Sequence, residues 1–248
     1  MADLKRIVID SGHSLNDPGA VGYETERKLN IKISTYAEDY LLDNYECLVM
    51  LMDETIDDLN EIARIANDWG ADLVLSPHMN AGKGNGYESL VYSKSDKKLG
   101  QIFEKEVKAI GQNSRGVKYR PDLGLLRLTK APAIITEGAF VDNWDDIKDW
   151  NDDAELRQMG IAYAKAAAKF LSLPKKTKSS GKKSTAADGS FLVQVKIKDL
   201  YIRTGAGTNY KHKGFIKPGV YTIVETDGKW GKLKSGAGWI HLGYAKKL

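Results

Sequence analysis

The chain has 248 residues, 42% of them hydrophobic and 28% charged, enough for one large domain or a medium domain with a small appendage around a real core. No window approaches the ~20 consecutive apolar residues of a membrane span, and the first residues run straight into a strand-like segment without a secretory leader pattern, so neither membrane insertion nor export by a signal peptide is expected. The single cysteine, Cys47, excludes an internal disulfide framework and sits in an apolar run as a core residue. The net charge of +4 hides an asymmetry. Residues 1–172 carry 21 Lys and Arg against 29 Asp and Glu, a net of −8, whereas residues 173–248 carry 16 against 4, a net of +12. An acidic body joined to a basic tail implies two domains with different partners, the second suited to an anionic surface.

In chain order, Arg6–Asp10 reads as a strand, and Leu29, Ile33, Tyr36, Ala37, Tyr40 and Leu41 then fall on one helical face. Cys47–Met52 is a second apolar strand, followed by a helical pattern through Leu59, Ile62, Ala63 and Ala66. Leu73–Ser76, Ser89–Tyr92 and Ala133–Thr136 read as further strands, and Ala154–Leu171 as a closing helix. Several of these strands are too uniformly apolar to have a wet face, and their alternation with helices predicts an α/β domain with a mostly parallel sheet and helices on both faces. Residues 173–190 hold five lysines and no large apolar side chain after Leu173. They read as a flexible linker between a domain at 1–172 and another at 191–248. The last region has no helical pattern. Its short strands, among them Phe191–Val195, Val220–Val224 and Gly238–His241, are broken by Gly-rich turns, as in a small β-barrel.

Ligands in open α/β sheets bind beyond the carboxyl ends of the strands, so the residues just past each strand are the ones to inspect. After Arg6–Asp10 comes S-G-H-S-L-N-D-P-G-A with His13; after Leu73–Ser76 comes P-H-M-N-A with His78; the strand Ala133–Thr136 runs into Glu137. Two of the chain's four histidines thus share one rim with a carboxylate. Neutral imidazoles suit zinc, and a catalytic zinc takes three protein ligands. A third ligand from a nearby carboxylate leaves Glu24 and Glu26 as alternatives.

The runs G-H-S-L-N-D-P-G-A (12–20), E-R-K-L-N (26–30), P-H-M-N-A (77–81) and L-R-L-T-K-A-P-A-I-I-T-E-G-A-F-V-D-N (126–143) resemble the zinc-dependent N-acetylmuramoyl-L-alanine amidases of type 3, found in bacterial autolysins and phage lysins. The resemblance covers residues 4 to about 172. It implies one zinc ion held by His13, Glu26 and His78, with Asn30 matching the asparagine that follows the family's ligand glutamate. It also implies that Glu137 is the catalytic acid–base in hydrolysis of the amide between N-acetylmuramic acid and L-alanine of the stem peptide. Pro77 departs from the family, which usually has an aliphatic residue there. Asp17 and Asn80 are expected to hydrogen-bond the ligating histidines, although Asp17 in N-D-P-G also suits a turn. Arg127 is a candidate for the substrate carbonyl or, equally, for a surface ion pair.

The runs L-Y-I-R-T-G-A-G-T-N-Y (200–210), G-F-I-K-P-G (214–219), K-W-G-K-L (229–233) and A-G-W-I-H (237–241) are similar to bacterial SH3-like domains that accompany wall hydrolases. Residues 191–248 carry a net +8 with interleaved aromatics, which fits peptidoglycan and teichoic-acid phosphates as partners. Tyr201, Arg203 and Tyr210 are the candidate wall-binding residues. No base-stacking motif accompanies them, so nucleic acid is not an expected partner. The expectation is a monomeric phage or prophage endolysin, made in the cytoplasm of a Gram-positive host and released by a holin. A host autolysin, or a zinc endopeptidase on the same scaffold, is the alternative.

Overall fold

The computed structural model describes residues 4–176, 189–196, 200–207 and 210–248. The chain divides into two compact units, one ending at Lys176 and the other beginning at Thr177. In the first, strands β1 (Lys5–Ile9), β2 (Cys47–Leu51), β3 (Leu73–Asn80), β4 (Tyr87–Val91), β5 (Ser114–Tyr119) and β6 (Ala133–Phe140) form one sheet in the order β2-β1-β3-β6-β4-β5. The helices are α1 (Glu26–Asn44), α2 (Leu59–Trp69), α3 (Lys97–Lys108), α4 (Gly124–Leu128), α5 (Trp144–Ile147) and α6 (Asp153–Leu171).

The pairs β1–β2, β1–β3, β3–β6 and β4–β5 are parallel, and β4 runs antiparallel to β6. The sheet is therefore mixed but mostly parallel: only the β4–β6 pairing is antiparallel, so β4 and β5 at one edge run against the other four strands. Residues 81–86, between β3 and β4, are too few for the dozen or more residues of a parallel crossover, so β4 returns in the opposite direction. The central strands behave as their composition demands: Ile7, Ile9, Leu73, Leu75 and Ile134 have no exposed surface. The strand order reverses direction after β2, and right-handed crossovers then place α1 and α2 on opposite faces. Helix α6 packs against α1 and α3. The closeness of that crossing explains Gly160: a Cβ there would lie 2.6 Å from the Ile33 carbonyl oxygen and 2.7 Å from Tyr36 Cβ. Cys47 is buried at the start of β2, as its apolar setting implies.

Pro77 lies within β3, paired with Thr136 of β6, in a strand between two neighbours. The amide of Val74 points toward β6, donating to the Pro132 carbonyl, so alternation turns the ring nitrogen of Pro77 toward β1. There β1 has already ended, its pairing with β3 stopping at Ile9 and Leu75. No ladder bond is lost, which is how a proline survives in this strand.

Leu173 is buried and Lys175 bridges to Tyr45, so residues 173–176, expected at the start of the linker, pack on the first unit. Residues 177–188 of that stretch lie outside the described residues.

The second unit is all antiparallel. Strands β7 (Phe191–Val195), β8 (Leu200–Arg203), β9 (His212–Ile216), β10 (Gly219–Asp227), β11 (Trp230–Leu233), β12 (Trp239–His241) and β13 (Ala245–Lys247) form a sheet in the order β13-β7-β10-β11-β12-β8-β9. Six of these strands contribute to one core of Val193, Val195, Leu200, Ile216, Ile223, Leu233 and Ile240, so the sheet curls around a single apolar centre.

Candidate metal centre

The loop after β1 carries the first candidate ligand in a conformation that most residues avoid. His13 has φ of 71°, the left-handed region, which costs a non-glycine residue roughly 1–2 kcal/mol. Its neighbours are small for a visible reason. A Cβ on Gly12 would lie 2.4 Å from His78 Nε2, and one on Gly19 (φ +66°) would lie 2.5 Å from His13 Cδ2 and 2.6 Å from Glu26 Oε2. Asp17 closes the turn between them: its carboxylate accepts from the Gly19 amide at 2.9 Å and meets His13 Nδ1 at 2.7 Å. The expected histidine partner and the expected turn residue are thus the same side chain. These bonds, led by that to His13, keep the Asp17 carboxyl below its ordinary range.

Glu26, the first residue of α1, projects between the two imidazoles. His13 Nε2 is 3.0 Å from Glu26 Oε2, and His78 Nδ1 is 2.8 Å from Oε1. The rings stand edge to face, with centroids 5.0 Å apart. The amides of Ala20 and Met79 donate to the same carboxylate at 2.8 and 3.2 Å. Asn30, one turn further along α1 and fully buried, donates to the Gly12 carbonyl at 3.2 Å. Burial opposes ionisation of Glu26, but the two imidazoles outweigh it and hold the carboxyl far below its usual range. The bond to Glu26 raises His13 to about 9 against desolvation. One donor atom each from His13, Glu26 and His78 lies within 4.8 Å of the others. Two nitrogens and a carboxylate oxygen, converging and with His13 and Glu26 already held by Asp17 and by backbone amides, suit a zinc ion with a position left open for water. Of the two glutamates left open by spacing, Glu26 converges; Glu24 lies at the tip of the preceding turn, its carbonyl accepting from Gly22.

Glu137 stands on β6 directly across from His78 on β3 and from Glu88 on β4. Its Oε2 is buried and makes no hydrogen bond. Burial, helped by the negative charges of Glu26 and Glu88 and opposed by His78, pushes its carboxyl up to about 7. Beneath the histidines, Asp10 is buried and accepts from Ser76 Oγ at 3.0 Å, and burial raises its carboxyl as well. Beside the triad opens a cavity of about 330 Å³ with an apolar floor that includes Ile56, Leu59, Ile62, Leu125 and Ile135.

Sequence reasoning did not single out Asp10 or Glu88. Asp10 was visible as a carboxylate ending an apolar strand; Glu88 depended on the antiparallel pairing of β4. Two other expected residues are less central. Asn80, the last residue of β3, accepts from the Ala81 amide through Oδ1 at 2.8 Å, a turn bond at the strand's end rather than one to an imidazole. Arg127 is exposed on α4 and makes no ion pair among the described residues, while Leu123–Leu125 of the same segment line the cavity. In the second unit Tyr201 stacks on Phe215 at 4.7 Å, and Arg203 is buried beneath it, 5.4 Å from its ring and donating to the Tyr210 carbonyl at 2.9 Å. Arg203 thus holds the backbone carbonyl of the exposed Tyr210.

Two imidazoles and a carboxylate whose donor atoms converge, with a buried glutamate on the neighbouring strand and an apolar-floored cavity beside them, suit a metal-assisted hydrolase. The Amidase_3 model, described as N-acetylmuramoyl-L-alanine amidase, matches residues 7–169, and the chain belongs to this family of peptidoglycan-cleaving amidases. It is 30% identical to a sporulation-specific N-acetylmuramoyl-L-alanine amidase of Bacillus subtilis strain 168, covering 86% of this chain and 83% of that one. It is 31% identical to an endolysin of Bacillus phage SPP1, over 94% of each chain. Among solved structures, the catalytic domain of the amidase CwlV from Bacillus (Paenibacillus) polymyxa superposes with a TM-score of 0.65 at 25% identity, covering 69% of this chain and all of that domain.

Proposed function

We propose that this amidase is zinc-dependent, that His13, Glu26 and His78 are its ligands and Glu137 its acid–base, and that it serves as a phage or prophage endolysin. The observation that carries the reading is the convergence of the three donors one strand away from the unpartnered, buried Oε2 of Glu137. Zinc bound there would acidify a water molecule and polarise the scissile carbonyl. The chain's own residues do the rest. Asp17 holds His13 through Nδ1, leaving Nε2 turned toward Glu26 and the ligand position. Glu137 Oε2 accepts the proton from the attacking water and returns it to the alanine nitrogen as the C–N bond breaks. A carboxyl poised near 7 serves both directions of that transfer. The apolar-floored cleft beside the histidines takes part of the substrate.

The second unit we read as an SH3-like module that binds the wall, recognising peptidoglycan and teichoic-acid phosphates. Its net +8 and its stacked Tyr201 and Phe215 support this. Likeness to the phage endolysin across nearly the whole chain supports the endolysin role and, with it, release to the wall through a holin. Likeness to the sporulation amidase favours the second reading, a host enzyme of the same activity.

The test is end-group analysis of purified Gram-positive peptidoglycan digested with and without a chelator. New L-alanine amino termini on intact stem peptides, formed only with metal present, are expected. New amino groups elsewhere in the peptide would make the enzyme an endopeptidase and overturn the assignment of the bond.

A further inference from the structure

Large aromatic side chains left in solvent beside a reaction centre call for an explanation. Tyr23 is 61% exposed and Trp144 50% exposed, yet their rings pack together at 5.5 Å, inclined by 58°. Each lies within a few residues of an element that carries a candidate site residue. Tyr23 lies in a tight turn whose closing pair is Ala20 and Glu26: the Glu26 amide donates to the Ala20 carbonyl, and the Ala20 amide donates to the Glu26 carboxylate. Val21 and Thr25 bridge within it. Tyr23 lies three positions before the candidate ligand Glu26, roughly 11 Å of chain at full extension. Trp144 begins α5, just past the end of the strand that carries Glu137.

The two segments are fastened to each other and to the site. The Tyr23 amide donates to the Val141 carbonyl at 2.8 Å, and Gly22 sits so close beneath that a Cβ would lie 2.4 Å from the same oxygen. On the other side, Asn143 Nδ2 donates to the Gly84 carbonyl at 2.7 Å, and buried Asp146 of α5 accepts from the Gly86 and Phe140 amides and from Gln112 Nε2. Such bracing orders a pair of exposed rings that contribute little to the core. The apolar faces of pyranose rings, lined by axial C–H groups, stack on aromatic side chains of this kind.

We propose that Tyr23 and Trp144 form a sugar-stacking rim that grips the glycan strand, a β-linked chain of N-acetylated amino sugars, on the carbonyl side of the scissile amide. The proposal rests on the amidase reading, because that bond necessarily has a sugar on one side and a peptide on the other. The rim then takes the glycan and leaves the apolar cleft for the peptide.

The experiment compares kcat and KM of the full-length protein on muramoyl-peptides carrying a single sugar and on the same peptides carried by long glycan strands. Wild-type kcat/KM is expected to rise with glycan length. Trp144→Ala and Tyr23→Ala each flatten that rise by about tenfold, through KM, whereas Trp144→Phe restores most of it. Tyr92→Ala, an exposed aromatic at the opposite end of the sheet, keeps the wild-type profile. Alanine variants that retain the full length dependence would overturn the rim and leave the amidase intact. So would a change confined to sedimentation, which would make the patch a contact between copies. A wild-type protein that releases no L-alanine amino termini from any of these substrates would overturn the amidase reading, and the rim with it.

Discussion

Gly12→Ala isolates one element of the proposed metal centre, the close approach of backbone to imidazole. Gly12 does not adopt a positive φ, so alanine meets no backbone penalty there, and its lower freedom when unfolded stabilises by about 0.4–1 kcal/mol. The added methyl would lie 2.4 Å from Nε2, 2.5 Å from Cε1 and 2.6 Å from Cδ2 of His78, whereas ordinary contact begins at 3.4 Å. The ring must therefore retreat by about 1 Å. It cannot do so without leaving Glu26, because Nδ1 is only 2.8 Å from a carboxylate pinned by the Ala20 and Met79 amides. A displacement of that size at a reacting centre costs on the order of 10² in rate. The overpacking itself costs about 1–3 kcal/mol, partly offset by the gain from alanine. The expected protein is folded, binds zinc more weakly and turns over about 100-fold more slowly. Zinc titration, kcat on soluble muramoyl-peptide and a melting curve without metal together separate these effects. Wild-type zinc affinity and wild-type kcat in Gly12→Ala would refute the argument that the glycine exists to admit the His78 ring.

Two further outcomes are expected from other parts of the first unit. Glu137→Gln keeps the shape of the buried side chain but cannot carry a proton; kcat should fall by about 10²–10⁴-fold with metal content unchanged, whereas His13→Ala loses the metal too, and a Glu137→Gln enzyme with normal turnover would remove Glu137 from the chemistry. Burial pushes the Cys47 thiol up to about 12, against an unfolded value near 8.5, so between those values the unfolded chain sheds a proton that the native one keeps. Cys47 should contribute stability below pH ~8.5 and lose it as pH rises toward 12, with a limiting slope of about 1.4 kcal/mol per pH unit; denaturant titrations of wild type and Cys47→Ala at pH 8 and 10.5 should show their stability difference shrinking, and a constant difference would contradict it.

Residues that had to be apolar or reactive were the legible ones. The uniform runs at Arg6–Asp10, Cys47–Met52 and Leu73–Ser76 announce buried strands, and His13, His78 and Glu137 announce themselves by their places at the ends of such strands. Residues whose meaning depends on pairing were not legible. Nothing in Ser89–Tyr92 says that it runs against its neighbour, so Glu88 could not be placed opposite Glu137. Strand β5 has no fully buried residue along Ser114–Tyr119, and without an apolar run it carries no strand signal. Helix α3 buries Leu99, Phe103 and Val107 at regular spacing, a pattern that short windows rich in lysine obscure. Asn80 illustrates the limit of proximity in sequence: two residues beyond His78, its side chain accepts from the amide of the next residue and caps the strand's end.

The position of the site is a consequence of strand order. From β1 the chain steps to β2 on one side by way of α1, then crosses back by way of α2 to β3 on the other. The connections on either side of β1 therefore leave on opposite faces, and a crevice opens at the carboxyl ends of β1 and β3. His13 comes just after β1 and His78 lies on β3, so the two imidazoles flank that crevice. Early termination of β1 completes it. With pairing to β3 ending at Ile9 and Leu75, one side of β3 beyond that point has no strand against it, and Glu26 from the start of α1 reaches His78 and the Met79 amide there. The same gap removes the need for an amide at residue 77, which is why proline can precede the histidine in this chain. A sheet with β1 longer by two or three residues would demand that amide and would leave Glu26 no route to His78.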